Sequence, residues 1–135
     1  MPTMSKSKIL LVDDDPGLLK LLTIRLRTEG YEVEAVQSGM AALNAATRNH
    51  PDLVISDLKM DGMDGMTLFD RVQGLVPGLP VLILTAHGTI PDALAAAGRG
   101  VFSYLTKPYN SKVLLEHMER ALGVGNDGGL SAGRA

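Results

Sequence analysis

The 135-residue sequence predicts an α/β fold: one five-stranded parallel sheet, doubly wound by helices on both faces, with strand order 2-1-3-4-5. Three observations carry this prediction. The runs "ILLV" (9–12), "LVIS" (53–56), "VLIL" (81–84) and "VFSYL" (101–105) are continuously apolar, as strands buried on both faces are. Helix-length segments separate the strands, so that strand and helix alternate five times and each crossover is expected to be right-handed. Apolar residues make up 45% and charged residues 21% of the chain, the balance of an ordinary soluble domain with a single core.

Strand 1, "ILLV", runs directly into Asp13, Asp14 and Asp15. The first helix then has Asp15 as its N-cap, Pro16 at its first position, an apolar stripe including Leu18, Leu22 and Leu26, and Gly30 as its stop. "YEVEAV" (31–36) alternates apolar and acidic residues and reads as an edge strand. Helix 2 starts near Ser38 and ends before Pro51. Helix 3 follows Gly65 and carries Leu68, Phe69 and Val72. Helix 4 is the short "IPDALAAAG", and helix 5 (111–122) carries Val113, Leu114, Met118 and Leu122. Residues 1–7 read as a disordered lead and 8–122 as the folded domain. Residues 123–135, with five glycines in thirteen positions, read as a flexible tail or severed linker.

The absence of cysteine removes disulfides, thiolate metal sites and cysteine nucleophiles together. No apolar run approaches the roughly 18 residues that span a bilayer, and the start lacks a signal-peptide apolar region, so a soluble cytoplasmic protein is expected. With a net charge of −2 and scattered cations, the segment is not expected to bind nucleic acid by itself.

In such a sheet the ligand site lies beyond the carboxyl ends of the strands, near the order reversal between strands 1 and 3. The polar residues at those ends are Asp13, Asp14 and Asp15 after strand 1, Asp57 after strand 3, Thr85 after strand 4 and Lys107 after strand 5. Carboxylates gathered at a partly buried site repel, so one must protonate or a cation must intervene. Oxygen-only ligands that leave room for water and phosphate oxygens suit Mg²⁺. Asp57 is then the expected nucleophile toward phosphorus, with Mg²⁺, the Lys107 ammonium and the Thr85 hydroxyl neutralising the phosphoryl oxygens.

The stretches "LLVDDDPG", "VISDLKMDGMDG", "LTAHG" and "YLTKPY" resemble the motifs of bacterial response-regulator receiver domains, over about residues 8–122. Within that family the chain is most similar to receivers of the NtrC type, which control sigma-54-dependent transcription activators. The resemblance implies a flavodoxin-like, CheY-like (βα)5 fold. It also implies that Asp57 accepts a phosphoryl group from a sensor histidine kinase, with Asp14, Asp57 and the Lys59 backbone carbonyl as Mg²⁺ ligands and Asp13 acting through water. Thr85 and Tyr104 are implied as a switch pair, Lys107 as the phosphoryl contact, and Pro108 as a cis-proline. A homodimer through helix 4, strand 5 and helix 5 is implied as well. DNA and sigma-54 RNA polymerase would be met only through output domains absent from this sequence. Such a domain catalyses only its own phosphorylation and dephosphorylation. The chain departs from the pattern at Asp61, where proline is common, and at Tyr109, where phenylalanine is commoner.

Two other classes compete. A haloacid-dehalogenase-like phosphohydrolase would use Asp13 as nucleophile, since Asp13, Asp15, Thr85 and Lys107 imitate that family's order; no acid-bearing strand follows Lys107, however, and no cap segment exists to bind substrate. An inert interaction domain of receiver shape is the other. "GVGNDG" (123–128) matches a dinucleotide-binding glycine pattern but follows a helix, the wrong context. "DLKMDGMDGMTL" lacks the terminal glutamate of a calcium loop.

Overall fold

The computed structural model describes residues 7–134, with burial described as far as Gly123. The elements are β1 (Lys8–Val12), α1 (Pro16–Thr28), β2 (Glu32–Val36), α2 (Gly39–Asn49), β3 (Leu53–Ser56), α3 (Gly65–Leu75), β4 (Val81–Thr85), α4 (Ile90–Arg99), β5 (Ser103–Thr106) and α5 (Ser111–Arg134). All five strands are parallel and lie in the order β2-β1-β3-β4-β5.

Alternation along each strand divides the core in two. Ile9, Leu11, Leu53, Ile55, Leu82 and Leu84 face α1 and α5, where Leu19, Leu22, Leu26, Leu114 and Met118 cover them. Leu10, Val12, Val54, Val81 and Ile83 face the other way, against Ala42, Ala45 and Ala46 of α2 and Leu68, Phe69 and Val72 of α3. Burial on both faces is why Ile9–Val12 of β1, and β3 and β4 before their last residues Ser56 and Thr85, carry no polar residue. β2 at the sheet edge is only partly covered, as its alternation implies.

The helices begin where oxygen-bearing side chains can satisfy their first N–H groups. Asp15 accepts from Gly17 and Leu18, Ser38 from Ala41, Asp64 from Thr67 and Thr89 from Asp92.

Four details differ from the sequence reading. The buried stripe of α1 is Leu19, Leu22 and Leu26, with Leu18 only half-buried: both leucines keep helical spacing to Leu22, and Leu19 is the one that packs on the sheet. On α5, Val113 is exposed and Ala121 takes the buried place beside Leu122. β5 starts at Ser103 because Gly100 closes α4 in the left-handed region and the Val101 N–H is bonded to the Ala96 carbonyl. α5 continues past Leu122 to Arg134; no proline interrupts that stretch, and glycine weakens a helix without sterically forbidding it. Residues 1–6 and 135, and the side chains of 124–134, lie outside what is described, and the expected lead at 1–7 falls there apart from Ser7.

Candidate functional site

The sheet ladder itself sets the site. Parallel pairing continues one residue beyond the strand ends: the Asp13 N–H donates to the Val36 carbonyl at 3.2 Å, Asp57 N–H to Val12 at 2.9 Å and Lys107 N–H to Thr85 at 2.9 Å. These bonds fix three charged residues on three strands at one edge of the sheet.

Asp13, Asp14 and Asp57 each bring a carboxylate oxygen to within 4.8 Å of the others. Asp13 and Asp57 are buried, whereas Asp14 is exposed. At that separation and an effective dielectric of about 20, two full charges repel by about 3 kcal/mol. Lys107 offsets this. Its Nζ lies 2.7 Å from Asp13 Oδ2 and 3.7 Å from Asp57 Oδ2, with only 18% of the lysine side chain exposed. Burial pushes the Asp13 carboxyl above its ordinary value, against the opposing pull of the Lys107 bond and the Asp15 N–H that donates to Asp13 Oδ1. The Leu58 N–H donates to Asp57 Oδ1 at 2.7 Å, and the Ser56 hydroxyl donates to the Asp57 carbonyl at 2.8 Å. Asp57 is therefore held from both its backbone and its side chain.

Gly65 closes the loop that follows. Its N–H donates to the Leu58 carbonyl at 2.7 Å, and an added Cβ would overlap the Asp57 carbonyl oxygen, so only glycine lets α3 start this close to β3. Lys59 lies in that loop with its side chain exposed, beside a cleft of about 330 Å³ lined also by Leu58, Met60, Asp64, Met66 and Asp92.

Thr85 is fully buried and its Oγ1 accepts the His87 N–H at 3.1 Å; the cap of α4 is Thr89, not Thr85. Tyr104 on β5 is half-buried, and its Oη is buried without a hydrogen-bond partner. The Thr89 backbone approaches Oη without completing a bond, while burial and the nearby Asp92 charge push the phenol above its usual range. The Lys107–Pro108 peptide bond is cis. Asp15, occupied at the α1 cap, stands apart from the three-carboxylate group. A separate cleft of about 280 Å³, lined by Lys8, Glu32, Glu34, Asn49 and Pro51 among others, opens at the opposite, amino-terminal edge of the strands, away from every charged group of the site.

Sequence reasoning missed the Asp13–Lys107 pair, because 94 residues separate partners that only strand order brings together. It also missed the 2.7 Å contact of Ser103 Oγ with His117 Nδ1, which joins β5 to α5.

A family model for the response regulator receiver domain matches residues 9–119. The chain is 58% identical over 114 residues to the transcriptional regulatory protein GlrR of Escherichia coli strain K12, a match covering 84% of this chain and 26% of that protein. It is 36% identical over 112 residues to the DNA-binding transcriptional regulator NtrC of Klebsiella pneumoniae, covering 83% of this chain and 24% of NtrC. It thus spans about a quarter of the length of these relatives. The crystal structure of the signal receiver domain of a putative Luxo repressor protein from Vibrio parahaemolyticus superposes with a TM-score of 0.86 at 30% identity, over 94% of this chain and 98% of that one. These matches lend no support to the hydrolase alternative, whose nucleophile Asp13 is here engaged by Lys107. By fold and by sequence, the chain belongs to the response regulator receiver domain family.

Proposed function

We propose that this domain is the phosphoacceptor of a two-component system, taking a phosphoryl group on Asp57 from a sensor histidine kinase. One observation carries the reading: a buried carboxylate, fixed at the end of the central strand, has a lysine ammonium 3.7 Å away and two further carboxylates within 4.8 Å. An Asp57 oxygen attacks phosphorus, a new O–P bond forms, and the N–P bond of the phosphohistidine breaks as the imidazole leaves with a proton. A carboxylate nucleophile needs no base, so catalysis is a matter of position and charge.

The donor set is all oxygen, with no thiolate or imidazole among the clustered groups, and it fits a hard divalent ion. Asp14, Asp57 and the Lys59 carbonyl would hold Mg²⁺, with Asp13 contributing through water. When bound, the ion supplies positive charge to the phosphoryl oxygens and relieves repulsion among the aspartates. Lys107 exchanges part of its pairing with Asp13 for a phosphoryl oxygen, and Thr85 Oγ1 turns from the His87 N–H toward the same group. Tyr104 follows Thr85, and α4, β5 and α5 carry the change outward.

The output is transcriptional control through domains beyond residues 8–122, and the similarity to GlrR and NtrC supports a sigma-54-dependent activator. DNA and RNA polymerase are met there, while this segment is a cytoplasmic signalling module. No described helix is long and apolar enough to cross a membrane. Ile90 and Leu94, 78% and 69% exposed on α4, support a homodimer through α4, β5 and α5; light scattering with Mg²⁺ and beryllofluoride should show the mass rise, and an unchanged monomer counts against it.

The deciding experiment is intact-mass labelling with acetyl phosphate and Mg²⁺. Wild type should gain one phosphoryl mass and Asp57→Asn none. Equal labelling of both would place the nucleophile elsewhere and overturn the reading.

A further inference from the structure

Gly88 stands three residues after Thr85, in the loop from β4 to α4. Its φ lies outside the left-handed range, unlike Gly30, Gly62, Gly78 and Gly100, so its backbone conformation does not demand glycine. What leaves no room for a side chain is Tyr104. A Cβ added at 88 would sit 2.7 Å from the ring Cε1, 2.7 Å from Oη and 3.1 Å from Cζ, well inside the separation at which carbon atoms attract. All three atoms are at the free end of the phenol, so a collision moves the ring rather than the sheet.

The ring is held in this place against an opposing force. Its Oη is buried without a partner, and a phenol in that condition gains by turning out to water. Packing on the bare backbone of Gly88 is therefore part of what keeps it in. The same short loop is tied at its other end to Thr85, whose Oγ1 holds the His87 N–H at 3.1 Å. A rotation of the Thr85 hydroxyl releases the residue next to Gly88.

We infer that Gly88 is a positioning residue for Tyr104: the space left by its missing side chain is the seat into which the ring turns, and filling that space drives the ring outward. The link from this seat to phosphorylation rests on the proposed Thr85–Tyr104 switch, whereas the seat itself does not.

The test uses the 135-residue chain as wild type, Gly88→Ala, Tyr104→Ala and the double variant. A soluble paramagnetic probe reads the exposure of the Tyr104 ring by NMR in metal-free protein. Gly88→Ala should raise that exposure severalfold and leave Tyr31 and Tyr109 unchanged. With Mg²⁺ present, beryllofluoride should bind Gly88→Ala about tenfold more weakly than wild type. It should bind the double variant as it binds Tyr104→Ala alone, since the colliding ring is gone. A folded Gly88→Ala whose Tyr104 exposure matches wild type overturns the inference. A ring that moves out while beryllofluoride affinity stays constant upholds the seat and refutes the switch. Should Gly88→Ala fail to fold, folding of the double variant identifies the ring as the obstacle, and failure of both overturns the inference.

Discussion

Replacing Lys107 by methionine keeps most of the stem and removes the only cation paired with Asp13 or Asp57 among the described residues. At an effective dielectric of about 20, contacts of 2.7 and 3.7 Å correspond to gross attractions of about 6 and about 4 kcal/mol. Most of this is offset by the loss of water around a lysine that is only 18% exposed. Leaving a buried charge without its partner typically costs about 3–5 kcal/mol, and because Asp13 can take up a proton the lower end applies: about 3 kcal/mol at neutral pH. In urea that moves the midpoint down by about 1–2 M.

The pH dependence is the sharper check. The Asp13 carboxyl already titrates above its ordinary value of 3.8 because burial outweighs the favourable Lys107 bond, and losing the lysine raises it further. An acid with a raised folded pKa binds more protons folded than unfolded, so stability falls as pH rises from 3.8 through the raised value. The loss in Lys107→Met is thus largest at pH 7 and shrinks toward about pH 4. Urea titrations of both proteins at about pH 7 and about pH 4.5 measure it. A loss under about 1 kcal/mol, or one equal at both pH values, would refute the account of Lys107 as the counter-charge to the aspartates.

Gly65→Ala should destabilise the domain by about 3 kcal/mol, since its Cβ meets backbone at the Asp57 carbonyl; a urea midpoint within error of wild type would show that the α3 start can shift freely. Asp61→Pro should stabilise by about 0.5–1 kcal/mol, because Asp61 is exposed, its N–H has no partner among the described residues, and a proline in this loop restricts the unfolded chain. A lower melting temperature for Asp61→Pro would show that the loop backbone at 61 does not accept proline. His117 is pushed below its ordinary 6.5 by burial first and the Arg120 charge second, with Glu116 opposing. A base with a depressed folded pKa contributes stability that is present above 6.5 and lost as pH falls below it, so thermal melts should weaken there in wild type and less in His117→Gln. An NMR titration placing His117 at or above 6.5 would refute this.

Legibility in the sequence followed the range of the interactions. β1, β3 and β4 were readable because burial on both faces leaves an uninterrupted apolar run, and the Asp15 cap because capping acts within three residues. The phase of α1 was less legible: Leu18 and Leu19 are adjacent, and either continues to Leu22 and Leu26 with helical spacing. Asp57, Asp14, Thr85 and Lys107 could be named because each ends a readable strand. Pairing was a different matter. Whether Lys107 would rest on Asp13, at 2.7 Å, or on Asp57, at 3.7 Å, depends on side-chain placement that no local pattern encodes. Gly88 was silent for a related reason, since a missing side chain leaves no periodicity and its meaning comes wholly from the ring above it.

The two ends of the proposed switch differ in how firmly they are held, and that difference has a physical basis. Asp13 and Asp57 are held by ladder bonds that continue from the buried strands β1 and β3, so their backbone positions are costly to move. α4 is the opposite case. Its only buried residue is Ala96, and the ion pair tying its end to α3, Arg99 with Asp70, lies between side chains about half exposed, where such pairs contribute about 0–1 kcal/mol. Ile90 and Leu94 meanwhile face solvent at its first turns. Chemistry requires fixed groups, and a response requires an element whose alternative positions differ by little. Here they sit at opposite ends of one short loop, with Thr85 at the rigid end and Thr89, the cap of α4, at the yielding one. A small rotation at Thr85 therefore has one inexpensive outlet, through residues 86–89 and the Tyr104 ring that rests on them, into the helix that resists it least.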